Sequence, residues 1–185
     1  PRAPPPVPRL VAAADVGLSK PLPALSEHGV TINNGQLVSH NLPDGVSLSH
    51  DGPAINGLQT PFAFYNSAVA SQPVVLTVAA NTRIEQPIHV QLQSASDTPA
   101  HCNPRLVVVL NQGAEAAVIE HYHAEGQALS NAVTALITAD NAQLTHYRLP
   151  GDPASSLHLR PLIIRPLHPP NAARQPPPLD PHWPP

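Results

Sequence analysis

Three short turns recur in the middle of the chain: VAANTRI at 78–84, LNQGAEA at 110–116 and TADNAQL at 138–144. Each carries Asn or Gly at one phase (Asn81, Gly113, Asn141) followed by Thr or Ala, and these markers lie 32 and 28 residues apart. Both residue types tolerate the left-handed backbone that a tight corner needs. Strand-like runs between such corners, at a period of about 30 residues, suit the coils of a β-solenoid better than a meander. The low aromatic content, 3%, agrees, because stacked coils fill a narrow core with aliphatic ladders.

The runs between the corners read as strands. In PIHVQLQ, Ile88, Val90 and Leu92 alternate with His89, Gln91 and Gln93, the period-2 pattern of a half-buried strand. RLVVVL, at 105–110, is a continuous apolar run of strand length, so alternation does not tell which parity faces inward. AAVIEHYH, NAVTALIT and AQLTHYRL are further strands, with AEG and ADN as turns between them. Strand signals dominate from about residue 70 onward, and TPFAFYNSAVAS, at 60–71, is the one candidate helix. The expected core includes Ile88, Val90, Leu92, Leu106, Val108, Leu110, Val133 and Leu136. A second echo, HY at 121–122 and again at 146–147, predicts adjacent coils with Tyr122 over Tyr147 and His121 over His146.

Proline marks the ends. Of 26 prolines, seven fall in residues 1–23 and ten in residues 161–185, leaving nine for the 137 residues between. Residues 1–27 therefore read as a largely irregular Pro-rich segment, 28–165 as the folded core and 166–185 as an irregular tail. Regular structure is not expected over 1–20 or 166–185, while Leu157, Leu159, Ile163 and Ile164 are placed to form one last strand.

A formal charge of −3 with a single lysine, Lys20, leaves no basic patch, which argues against nucleic acid or anionic membrane as a partner. No apolar run approaches the roughly 20 residues needed to span a bilayer. A cytoplasmic protein is the expectation. The single cysteine, Cys102, excludes an intrachain disulfide and reads as a small buried or loop residue rather than a nucleophile.

AAVIEHYHAEG, at 116–126, places Glu120, His121 and His123 within four positions, a ligand set that suits zinc or non-haem iron. On a strand the set divides: Ile119, His121 and His123 share one face, Val118, Glu120 and Tyr122 the other. What remains is His121 with His123, or His121 with His146, each needing a third ligand; the alternative is a set of rim histidines beside a tyrosine ladder. A polysaccharide-acting β-helix enzyme would need convergent carboxylates. Glu85, Asp97, Glu115, Glu125, Asp140 and Asp152 lie at corners or loops, and only Glu120 is well within a strand. No catalytic residue is assigned.

TPFAFYNSAVA, VVLTVAANTRIEQPIHV, NPRLVVVLNQGAEAAVIEHY and SNAVTALITADNAQLTHYRL, in that order, resemble the core of SufD, with TINNGQLVSHNLPDGVSL similar to the segment leading into it. The resemblance covers roughly residues 28–160. The related SufB shares the NPR and HYR elements, and PFAFYN favours SufD. The resemblance implies a right-handed parallel β-helix and a non-enzymatic scaffold subunit in the SUF system of iron–sulfur cluster assembly. It implies SufB and the SufC ATPase as partners, and a cluster built by the complex rather than a cofactor bound by this chain alone. It also implies further coils carrying a cluster-associated histidine, and a helical SufC-docking segment, none of which maps onto these residues. The expectation is a shortened SufD-like chain, impaired in its role and unable to hold SufC stably, with a Pro-rich tail from a shifted reading frame.

Overall fold

The computed structural model describes residues 9–10, 18–19, 22–53, 55, 60–70, 72–151 and 157–167. The first elements are β1 (Arg9–Leu10), β2 (Gly29–Asn33), β3 (Gln36–Asn41), β4 (Val46–Ser49) and α1 (Pro61–Val69). There follow β5 (Val74–Val78), β6 (Ile88–Cys102), β7 (Arg105–Leu110), β8 (Glu115–Asn131), β9 (Val133–Thr138), β10 (Gln143–Leu149), β11 (Leu157–Leu159) and β12 (Leu162–Pro166).

Two ladders carry the fold. One runs β10-β8-β6-β2 with all pairings parallel, and the other runs β12-β9-β7-β5, also parallel. From β5 to β10 the chain alternates between the ladders, β10 and β11 then both pair with β8 before β12 returns to the other ladder, and a parallel β-solenoid of about three turns results.

The corner spacing is the turn length. Val78 is the register partner of Leu110, and Leu110 of Thr138. Asn81 (φ 54°), Gly113 (φ 66°) and Asn141 (φ 58°) all occupy the left-handed region. The corners stack through the main chain: Asn81 N–H donates to the Gln112 carbonyl at 2.8 Å and Gly113 N–H to that of Asp140 at 3.0 Å. A Cβ on Gly113 would sit 2.6 Å from Asn81 Oδ1, so a larger residue at this corner would require the Asn81 side chain to move.

The HY echo does not mark register. Tyr147 pairs with Ile119 and His146 with Val118, so the local turn is 28 residues, not 25. A three-residue difference is odd and reverses every side chain. Tyr122 is accordingly fully buried and Tyr147 is 57% exposed, and His121 is not stacked on His146.

All eight expected core residues are buried, seven of them in the cluster between the ladders, while Val133 shares the outward parity of Ala135 and Ile137. The parity of RLVVVL is resolved by burial of both faces. Leu106, Val108 and Leu110 point into the lumen cluster, while Val107 and Val109 join Val75, Ala135 and Ile137 in a second cluster packed against Ile55, Ile163 and Leu167. Gly52 crosses this outer face so closely that a Cβ there would lie 2.9 Å from Val75.

Strands β6 and β8 outrun their expected lengths, reaching 15 and 17 residues. AEG is therefore not a turn. Gly126 lies within β8 at φ 70°, opposite Ser96, where a Cβ would approach the Ser96 carbonyl oxygen to 2.1 Å. The register shifts there, because Ser96 pairs with Gly126 and Ala100 with Ala128, leaving an irregularity in β6.

The first turn is closed by antiparallel strands that were not expected before residue 70. β2 and β3 form a hairpin through Asn34 and Gly35, both at positive φ, and β4 pairs antiparallel with β5. The Asn-Gly dipeptide is the hairpin signal that was missed. Irregularity over 1–20 also gives way in part, since Arg9 and Leu10 pair with Ala100 and His101. The expected last strand is two, β11 and β12, and Pro166 ends the second. The tail beyond Leu167 lies outside the described residues.

The expected helix is present as α1. Thr60 caps it, its hydroxyl accepting from Ala63 N–H at 3.2 Å, and Pro61 sits in the first turn, where no donor is lost. Asn66 pins it to the solenoid: fully buried, its amide donates to the carbonyls of Asn131 (2.8 Å) and Pro104 (3.2 Å), while its oxygen accepts from Arg105 Nε at 3.0 Å.

Candidate functional site in the solenoid lumen

The lumen changes character along its axis. In the first turn Ile88, Val90 and Leu92 point inward. One turn on, their register partners are Val118, Glu120 and Tyr122, and over Val118 and Glu120 stand His146 and Arg148. An apolar column becomes a polar one within two strand spacings, about 10 Å.

Glu120 is the centre of this cluster and is fully buried. The Tyr122 hydroxyl donates to Oε2, as does Thr134 Oγ1 at 2.9 Å, and His146 Nε2 lies 2.6 Å from Oε1. Facing a carboxylate, that imidazole nitrogen is the donor. Arg148 Nε stands 3.7 Å from Oε2, and the Arg148 guanidinium donates to the Arg160 carbonyl at 2.8 Å. Arg160 lies over the Tyr122 ring, 4.4 Å from its centroid, a cation–π contact in a desolvated setting. Burial and, next, the Glu120 carboxylate push the Tyr122 hydroxyl well above its ordinary range, so it stays protonated and serves as a donor. One carboxylate thus faces two guanidinium groups. Arg148 Nε and Nη2 and Arg160 Nε are buried without a hydrogen-bond acceptor, so the cluster is rich in unused donors.

The face assignment of the strand at 116–123 holds. Glu120 and Tyr122 point inward, His121 and His123 outward. His146 joins Glu120 in the lumen, so it and His121 lie on opposite sides of the wall and do not pair, whereas His121 and His123 share the outer face. Among the described residues no group of three or more His, Cys, Asp or Glu is arranged to hold a metal ion. Glu120 is enclosed, whereas Glu85, Asp97 and Asp140 are exposed and Glu115 half-exposed. Asp152 lies outside the described residues. Cys102 is buried, its thiol 3.3 Å from Asn34 Oδ1, and burial pushes its pKa up, opposite to what a nucleophile needs.

Sequence reasoning missed Arg148, Arg160 and Thr134. Parity was the available signal: in QLTHYRL, His146 and Arg148 share a face with Leu144, which packs on the core.

Outside the wall a second cluster forms. His89 is 3% exposed and its ring lies 5.5 Å from that of His121, tilted by 30°. Its Nδ1 accepts from Leu25 N–H at 3.3 Å. Further along the same face His123 Nε2 contacts Glu125 at 3.2 Å, and Glu125 also accepts from Ser19 N–H (2.8 Å) and Oγ (3.0 Å).

Residues 91–164 match the family model described as SUF system FeS cluster assembly, SufBD core domain. A curated iron–sulfur cluster assembly SufBD family protein of Synechocystis sp. is 30% identical over 109 residues. The aligned region is 53% of this chain and 24% of that protein, so the chain spans about a quarter of its relative. Both matches support the SufB/SufD family. The matched span begins in β6 and ends in β12, so it takes in the polar lumen.

Proposed function

We propose that this chain is a SufD-like scaffold subunit that takes part in iron–sulfur cluster assembly and catalyses no reaction of its own. The carrying observation is the coincidence of the SufBD core match, 91–164, with the parallel coils that enclose Glu120, Tyr122 and His146. A rigid stack of coils suits presentation of a partner surface, and the cluster is then cargo of the complex. PFAFYN, the segment that favours SufD over SufB, forms most of α1. The proposed partners are SufB and, within the assembled complex rather than held by this chain, the SufC ATPase, and the proposed location is the cytoplasm. No helix among the described residues is long and apolar enough to cross a membrane.

Co-expression of the tagged chain with SufB and SufC tests this reading. Capture of SufB through the tag is the expected result. Failure to capture either protein, with the chain shown to be folded by circular dichroism, would overturn it.

A further inference from the structure

We propose that His89, backed by His121, is a pH-operated clasp that holds residues 22–26 on the outer face of the β2-β6-β8 sheet when neutral and releases them when protonated.

The clasp is legible in the hydrogen bonds. Leu25 N–H points at His89 Nδ1, so that nitrogen must carry a lone pair. A neutral imidazole has one such nitrogen, and an imidazolium has none. Proton uptake therefore turns the acceptor into a second donor facing a donor. The other nitrogen, Nε2, is buried without a partner, as is Nδ1 of His121, so neither of these two nitrogens has an acceptor at hand to stabilise a cation. The two rings are near enough to repel when both are charged. Burial, and then the neighbouring imidazole (His121 for His89, His123 for His121), hold both pKa values below the ordinary 6.5.

The surrounding groups do not reverse this. Glu27 and His28 come from the segment that includes the strap, His40 from β3, and His121, His123 and Glu125 from β8; Tyr147 is exposed on β10. Glu27 is exposed to water, and Glu125 is already engaged by Ser19 and His123. The ends of the strap are held by bonds that do not depend on His89 Nδ1. Asn41 Nδ2 donates to the Glu27 carbonyl at 2.8 Å, and His89 main-chain N–H donates to that of His28 at 3.0 Å. Glu125 is kept below the usual carboxylate range, chiefly by the Ser19 main-chain N–H, so the Ser19 anchor persists in mild acid. The stretch between opens while both ends stay fixed. A pocket of about 260 Å³, lined by Ala24, Ser26, His40, His89 and Gln91 among others, already lies beneath it.

The sign follows from linkage. The closed form binds protons more weakly than the open form, so closure is complete above pH 6.5 and is lost as the pH falls below that value. One ring weakens closure by up to about tenfold per pH unit, and both together by up to about a hundredfold.

Amide hydrogen exchange at Leu25, corrected for the intrinsic pH dependence of exchange, reads the clasp directly. Protection is expected to fall severalfold, up to about tenfold for each ring that takes up a proton, between pH 7.5 and pH 5, with the Ser19 amide unchanged. In His89→Asn, which keeps an acceptor near the Nδ1 position but cannot titrate, Leu25 is expected to keep its protection at pH 5. Protection of Leu25 that does not vary with pH in the wild-type chain, or an equal loss in His89→Asn, would overturn the proposal. Should His89→Asn fail to fold, His121→Gln decides: a smaller loss at pH 5 than wild type is expected, and an identical loss overturns the pairing.

Discussion

At the scale of single residues, Glu120 shows how a charge is kept inside a narrow lumen. A carboxylate in an apolar coil would be expelled or neutralised; here two hydroxyls, an imidazole and a guanidinium surround it. Removing the acceptor leaves those donors buried without a partner, and the two guanidinium groups uncompensated. Glu120→Ala is expected to lower stability by about 3–5 kcal/mol, the range for breaking one side of a buried pair. Urea unfolding followed by circular dichroism measures it, and a change below about 1 kcal/mol would show that water replaces the carboxylate at little cost.

Among elements, α1 has little support from apolar packing. Phe62, Phe64 and Tyr65 are exposed, and its buried residues are Ala63 and Asn66. Docking therefore depends on amide chemistry. Asn66 joins the carbonyls at the ends of two coils, and Asn131 returns a bond of 2.9 Å to the Phe62 carbonyl. Asn66→Ala is expected to cost about 2–4 kcal/mol, because two buried carbonyls and Arg105 Nε lose a partner. The helix should also become the first site of proteolytic nicking. Unchanged cleavage around 61–69 would count against this account of how the helix is held.

For the molecule as a whole, stability is expected to decrease along the solenoid. β7 has a neighbour on each side and both faces covered, whereas β10 and β12 pair on one side among the described residues and alternate between exposed and half-buried positions. In a stack of coils each turn is stabilised mainly by its neighbours. Hydrogen exchange should therefore release the amides of β10 and β12 first and those of β7 last. The reverse order would mean that the polar lumen of the third turn is the stable nucleus and the apolar first turn the weak end.

Which features were legible from the chain alone follows from how local their causes are. The corners at Asn81, Gly113 and Asn141 need a left-handed backbone, a property of one residue, and their 32 and 28 residue spacing is the turn length itself. The face of Glu120 against that of His121 follows from strand geometry. The HY echo misled because identical dipeptides carry no parity, and only the ladder shows Tyr147 opposite Ile119. Whether the outer side of RLVVVL meets water depends on Gly52, Ile55 and Leu167, remote in sequence. The same holds for the lumen cluster, whose members come from β8, β9, β10 and the corner before β12, and for His89, buried beneath a segment 64 residues away. Local backbone preference set the period of this solenoid; which polar groups meet inside and outside its wall was decided by register, which exists only once the coils are stacked.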